Sequence, residues 1–204
     1  MDIIECKDEF TWIDKINTWV KQELDRSRAK SLFLPAGSTP RPLYQNWEVS
    51  GAPFSDDVRL MQLDEILNGE KKNAFRHFFQ ETLPSYQKQF QYIDEADKCA
   101  DLAILGLGVN GHVGYHEPGL SPQFYSGCLT LNPETIEHSQ LDPGVRVVTY
   151  GLQAFLKAKS ILLIVRGVSK RDILREVLGA DCVLPAAYLK KHNHLSIVTD
   201  FKLE

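Results

Sequence analysis

Residues 101 to 119 read Asp-Leu-Ala-Ile-Leu-Gly-Leu-Gly-Val-Asn-Gly-His-Val-Gly-Tyr-His-Glu-Pro-Gly. The apolar run from Leu102 to Leu105 is short and ends at turn signals, so it reads as a buried strand. That strand empties into a glycine-rich turn holding His112 and Glu117. Open α/β sheets place their sites just beyond the carboxyl ends of such strands. Acid–base chemistry is therefore expected at this turn.

The turn also contains Gly106-x-Gly108-x-x-Gly111, which matches the dinucleotide fingerprint. A true fingerprint needs a helix opening on the third glycine, so that its N-terminus meets the pyrophosphate. Gly114, Pro118 and Gly119 interrupt any such helix. No second strand ending in an acidic residue follows at the spacing of a ribose contact. A nicotinamide or flavin is not expected.

Strand signals recur along the chain, separated by helical periodicity. Phe10, Ile13, Ile16, Val20 and Leu24 stand at helical spacing and predict an amphipathic helix over about residues 9–29. Strands are expected at 31–35, 58–63, 102–105, 145–150, 161–165 and 195–198, and further helices near 40–47, 72–83, 152–158 and 169–179. This alternation implies an α/β fold: one Rossmann-like domain over residues 1–204, with a mostly parallel sheet flanked by helices. Residues 119–144, with prolines at 122, 133 and 143, are the least regular stretch and a candidate lid or binding loop.

Composition narrows the function classes. A net charge of −4 is no nucleic-acid footprint. The longest apolar run, Ile161 to Val165, is far too short to span a bilayer, and the N-terminus does not read as a signal peptide. Cys6, Cys99, Cys128 and Cys182 are scattered, as free thiols of a reducing compartment would be, so a cytoplasmic location is expected.

Three further loops carry chemistry. Gly37-Ser38-Thr39-Pro40 follows a strand and opens a helix, a place where unpaired N–H groups can receive an anion. The alternative is an ordinary Ser/Thr helix cap. Asp64-Glu65 ends a strand, where a partly desolvated carboxylate gains the raised pKa that proton abstraction needs; a solvated pair or a helix cap is the other reading. Lys170, at the end of Gly167-Val-Ser-Lys, stands in the first turn of a helix, where the dipole disfavours a cation unless an anion binds. His112 and His116 stand four apart, but the glycines forbid a helix there and no third ligand is evident, so no metal is expected.

Taken in order, these loops resemble the glucosamine-6-phosphate deaminase/isomerase family and its relative, 6-phosphogluconolactonase. Gly37 to Pro40 matches the family's phosphate loop, Asp64-Glu65 its acidic pair, Gly106 to Pro118 its long glycine–histidine motif, and Gly167 with Lys170 its Gly-x-x-Lys. The resemblance implies a sugar-phosphate isomerase-like fold, a small-molecule sugar phosphate as partner and no cofactor. It gives Asp64 the role of the base that moves a proton from C2 to C1, and His112 that of the residue assisting ring opening. Asn110 and Glu117 would orient that histidine. Gly37, Ser38, Thr39, Lys170, Gly106, Gly108 and Gly111 would surround substrate and phosphate. Asn110 stands where many members carry Asp, and His116 where Asn is usual. The segment 119–144 is shorter than the family's and lacks a clear counterpart of its phosphate-binding arginine.

Glu117-Pro118 favours the deaminase over the lactonase, whose pattern lacks this glutamate. The expected activity is conversion of glucosamine or galactosamine 6-phosphate to a ketose 6-phosphate and ammonia. A lactonase-like hydrolase and a non-catalytic sugar-phosphate sensor are the competing readings, and self-association into a homo-oligomer is left open.

Overall fold

The computed structural model describes residues 1–93 and 99–204. Its first half runs β1 (Asp2–Glu5), α1 (Glu9–Ser27), β2 (Ser31–Leu34), α2 (Arg41–Ser50), β3 (Arg59–Gln62), β4 (Asp64–Ile66), α3 (Ala74–Thr82) and β5 (Phe90–Gln91). The second half runs β6 (Leu102–Gly106), β7 (Ser126–Thr130), α4 (Pro133–His138), β8 (Arg146–Tyr150) and α5 (Leu152–Phe155). It ends with β9 (Ser160–Val165), α6 (Arg171–Leu178), α7 (Pro185–Tyr188) and β10 (Leu195–Thr199).

Seven strands form one parallel sheet in the order β1-β10-β9-β6-β2-β3-β5. Side chains alternate across it. Leu32, Leu34, Ile104 and Leu162 meet Trp12, Ile16 and Val20 of α1 and Tyr44 and Trp47 of α2 on one face. Phe33, Ala103, Leu105 and Leu163 meet Phe155 of α5 and Leu174 and Val177 of α6 on the other. Cover on both faces is why these strands read as continuous apolar runs rather than alternating ones.

The α/β architecture with a mostly parallel sheet agrees with the sequence reading, but three details differ. The strand expected at 145–150 is β8, and it leaves the parallel sheet. It pairs antiparallel with β4 and β7 in a separate three-stranded sheet. Strands β1, β4, β5 and β7, and helices α4 and α7, were not expected: β4 and β5 have only three and two residues, and β1 and β7 are largely unburied and carry no continuous apolar run. On α1 the buried stripe is Trp12, Ile16, Trp19, Val20 and Leu24, whereas Phe10, expected inside, is 84% exposed. Helix α1 is entered through Asp8, whose carboxylate accepts from the Thr11 N–H at 2.7 Å. It closes on Arg28 in the left-handed conformation.

The strand order places the site. β2 has β3 on one side and β6 on the other, and from β6 the sheet grows the opposite way, to β9, β10 and β1. The carboxyl ends of β2 and β6 therefore flank the crevice where connections diverge, the position at which open α/β sheets bind ligands. Beside it the chain steps from β3 through Leu63 into β4, and Tyr150 N–H donates to the Leu63 carbonyl at 3.0 Å. The small sheet is thus anchored at the mouth of the crevice. No helix among the described residues is long and apolar enough to cross a membrane.

Candidate active site

The first wall of the crevice is the turn after β2. Gly37 has φ of +109°, a conformation that side chains rarely adopt. Ser38 and Thr39 follow, but they do not cap α2. Pro40 is the N-cap residue, and the helix takes no side-chain cap. Neither hydroxyl forms a hydrogen bond among the described residues, so both are uncommitted at a helix N-terminus. Across from them stands Lys170, in the short 3-10 turn Val168–Lys170 that leads into α6. Burial lowers its pKa, and no carboxylate pairs with it among the described residues. An unpaired, half-buried ammonium at a helix N-terminus is electrostatically costly and becomes favourable once an anion sits beside it.

The acidic pair divides its work. Glu65 accepts four hydrogen bonds: from Gln62 Nε2 (2.9 Å) and from the N–H groups of Ile66 (2.8 Å), Phe75 (3.1 Å) and Arg76 (2.7 Å). The last two belong to the first turn of α3, so Glu65 caps that helix from a neighbouring strand, a favourable place for a carboxylate. Asp64 is 7% exposed, and its carboxylate receives no hydrogen bond among the described residues. Burial, reinforced by the neighbouring Glu65, pushes its pKa up to about 8. Gly114 leaves room beside it: a Cβ there would lie 3.5 Å from Asp64 Oδ2 and 3.2 Å from Thr149 Oγ1.

The turn after β6 shapes the third wall. It closes through Gly111 N–H to the Gly108 carbonyl (3.2 Å) and Gly108 N–H to the His112 carbonyl (2.9 Å). Gly111 has φ of +79°. The His112 imidazole lies across Gly108 so closely that a Cβ there would sit 2.2 Å from the ring. Asn110 Oδ1 meets His112 Nδ1 at 2.6 Å and accepts from the His112 backbone N–H at 3.3 Å. A backbone N–H can only donate, which fixes Oδ1, and not the amide nitrogen, toward the ring. Nδ1 then carries the proton and Nε2 is left as the basic nitrogen. Burial, aided by the positive charges of Lys170 and His138, lowers the His112 pKa to about 4, so the ring is neutral at pH 7.

Glu117 is buried outside this cleft. Its Oε2 accepts from Asn132 N–H at 2.8 Å at the head of α4, and Oε1 has no hydrogen-bond partner among the described residues. No hydrogen bond among the described residues joins it to His112; the orienting contact is made by Asn110. His116 is fully buried, its Nδ1 accepting from Leu152 N–H at 3.2 Å at the start of α5. Among the described residues no group of three His, Cys, Asp or Glu could hold a metal ion.

The cleft itself has a volume of about 270 Å³, near the lower end of the roughly 300–1,000 Å³ usual for small-molecule sites. It brings together Gly37, Ser38, Thr39, Asp64, Gly106, Gly108, His112 and Lys170, which come from distant parts of the chain. Asn110, Gly111 and Glu117, also expected at the site, do not line it: Asn110 holds His112, Gly111 closes the turn, and Glu117 accepts from Asn132 N–H. Phe75 of α3, Tyr115, and His138 with Ser139 at the end of α4 also line the cleft, and none of them was among the expected site residues. The irregularity of 119–144 had marked the region that supplies the last two, without marking the residues.

The family model for glucosamine-6-phosphate isomerases/6-phosphogluconolactonase matches residues 67–198. A curated glucosamine-6-phosphate deaminase of Lysinibacillus sphaericus is 30% identical, over 84% of this chain and 90% of its own. Another, from Streptococcus pyogenes serotype M49 (strain NZ131), is 28% identical over 98% of this chain and 97% of its own. Among solved structures, a monomeric glucosamine-6-phosphate deaminase superposes with a TM-score of 0.80 at 22% identity, covering 98% of this chain and 97% of that one. A 6-phosphogluconolactonase from Trypanosoma cruzi has the same fold, with a TM-score of 0.76 at 15% identity over 97% and 93% of the two chains.

Proposed function

Because this chain belongs to the glucosamine-6-phosphate isomerase/6-phosphogluconolactonase family, we propose that it deaminates and isomerises an amino-sugar 6-phosphate. The observation that carries this reading is Asp64, a buried carboxylate with no hydrogen-bond donor among the described residues and a pKa of about 8, facing a cleft with an anion-receptive end. A base held near the working pH is what abstraction of a carbon-bound proton requires.

In this mechanism the phosphate binds Ser38, Thr39 and the N–H groups opening α2, with Lys170 opposite. His112 Nε2 takes the proton of the anomeric hydroxyl and returns it to the ring oxygen, opening the ring to the aldehyde. Asp64 then removes the C2 proton. The positive charge of the substrate's ammonium group favours the ionised carboxylate at that moment. As the C2 proton leaves, a proton passes from the ammonium nitrogen to the aldehyde oxygen, and the same C2 proton is then delivered to C1, leaving C2 as an iminium carbon. Water adds at C2 and ammonia leaves, giving the ketose phosphate; the step consumes one water and no oxidant or reductant. Asn110 is a positioning residue that holds the tautomer of His112. Glu117 is a second one, tying the loop after His112 to the head of α4.

Product analysis tests this. With substrate carrying deuterium at C2, the ketose phosphate should carry that deuterium at C1, with one ammonia per ketose formed. Hydrolysis of 6-phosphogluconolactone with no ammonia from either hexosamine phosphate would instead make the protein a lactonase. Binding without turnover would make it a sensor.

A further inference from the structure

Among the described residues Tyr115 is the one phenol lining the cleft, and the proposed mechanism leaves it without a task. The residue is 6% exposed. Its ring stacks on Phe75 with centroids 5.8 Å apart and planes 17° from parallel. It packs with Ile66, Leu131, Val145 and Val147 into the core beneath the small sheet. Its backbone N–H is spent on Thr149 Oγ1 at 3.1 Å. Both rings line the cleft beside Asp64.

The hydroxyl is the unusual part. No hydrogen bond reaches it among the described residues. It is not one of the sealed, unpartnered polar atoms either, so it keeps some solvent exposure. Buried hydroxyls of tyrosine normally find a partner. Burial and the nearby carboxylates of Asp64, Glu65 and Glu117 keep the phenol protonated. It therefore offers an O–H donor throughout the pH range in which the protein works. When a ligand fills the cleft and displaces the water, that donor must be met by an acceptor on the ligand, or its desolvation goes uncompensated.

We infer that Tyr115 recognises the sugar itself: its hydroxyl donates to a non-reacting hydroxyl of the sugar, beside the carbons served by Asp64, and so sets which sugar phosphate the cleft accepts. This rests on the sugar-phosphate reading above and deepens it. A pocket built to hydrogen-bond one hydroxyl rejects analogues that lack or misplace it, because its own polar group is then left unpaired. Thus Ser38, Thr39 and Lys170 read the phosphate, which every hexose 6-phosphate carries, while Tyr115 reads the sugar.

The test is affinity, measured by calorimetry in the Asp64→Asn background, where substrate is not consumed. Glucosamine 6-phosphate is compared with its 3-deoxy and 4-deoxy analogues, with and without Tyr115→Phe. The phenyl ring keeps the stacking and the core packing, so thermal unfolding should be unchanged. With Tyr115 present, one analogue should bind about 10- to 100-fold more weakly than the parent, the scale of one unpaired buried donor. In the Tyr115→Phe variant the parent should bind that much more weakly, and the difference between parent and analogue should vanish. In the otherwise native enzyme Tyr115→Phe should raise KM and leave kcat within a few-fold. Equal discrimination with and without the phenol overturns the inference while leaving the proposed reaction standing. Failure to bind any of the three overturns both.

Discussion

Two adjacent carboxylates, Asp64 and Glu65, share burial and differ in everything else. Glu65 is held by four donors; Asp64 has none among the described residues. That difference makes one a scaffold and leaves the other available for chemistry. The sequence showed a carboxylate pair at a strand end but could not divide the roles. Glu65 is committed by backbone groups of Phe75 and Arg76, ten and eleven residues on in sequence, and no local pattern announces such a contact. The raised pKa of Asp64 has a stability consequence with a definite sign. Its folded value, about 8, lies above the unfolded value of about 4. Its contribution is therefore complete below about pH 4 and is lost as pH rises through 8. Asp64→Asn should melt higher than the native protein at pH 9, by about 10 °C or more at about 2–4 °C per kcal/mol for a chain of this size, and melt alike at pH 4. Scanning calorimetry at the two pH values checks this. Gly108 is equally specific. Its φ is ordinary, so alanine suits the backbone, but its Cβ would occupy the space of the imidazole. Gly108→Ala should keep the far-ultraviolet circular dichroism spectrum and lower kcat at least about 100-fold, the scale of one lost acid–base group.

At the scale of elements, the long strands and helices were legible because burial on both faces writes apolar runs and because α1 is long enough to show a period. The short pieces were not. β4 has three residues and β5 two, below the length at which alternation means anything. Phe10 fitted the helical spacing of α1 and still faces solvent, because Trp12 and Trp19 define a stripe displaced from it. The candidate loop at 119–144 turned out to hold β7 and α4, and α4 carries His138 to the rim of the cleft. An imidazole there, within electrostatic range of His112 and lining the same cleft as Ser38 and Thr39, should assist binding and not chemistry. His138→Ala is expected to raise KM about 2- to 5-fold with kcat little changed, the scale of one exposed polar contact, and His138→Arg to restore it; steady-state kinetics decide. Glu65→Gln should strike the element instead. The amide turns a donor toward the first turn of α3, and unfolding in urea should show a loss of about 1–3 kcal/mol.

Across the whole molecule, two sheets meet at the site. The parallel sheet supplies the Ser38–Thr39 loop after β2 and the histidine loop after β6, at the point where strand order reverses. The small antiparallel sheet supplies Asp64 from β4 and, through α4, the rim. Two histidines are held neutral within this junction: His112 in the cleft and His116 beneath it, each with a pKa lowered to about 4 by burial. Both folded values lie below the unfolded value of about 6.5. The unfolded chain thus takes up protons first as pH falls, and stability is lost between about pH 6.5 and 4. His116→Asn removes one of the two. It should narrow the difference in melting temperature between pH 7 and pH 5, because an amide at that buried position does not titrate.

In the proposed reaction Asp64 moves a proton on an amino-sugar phosphate. Ammonia release from glucosamine 6-phosphate, with galactosamine 6-phosphate in parallel, reads that step in the native protein and in Asp64→Asn. Release by the native protein is expected, at a rate that rises with pH as Asp64 ionises at about pH 8. Removing the carboxylate should lower it about 100- to 10,000-fold, while the substrate still binds. Release undiminished in Asp64→Asn, or none from either sugar by a folded native protein, would contradict the proposed reaction.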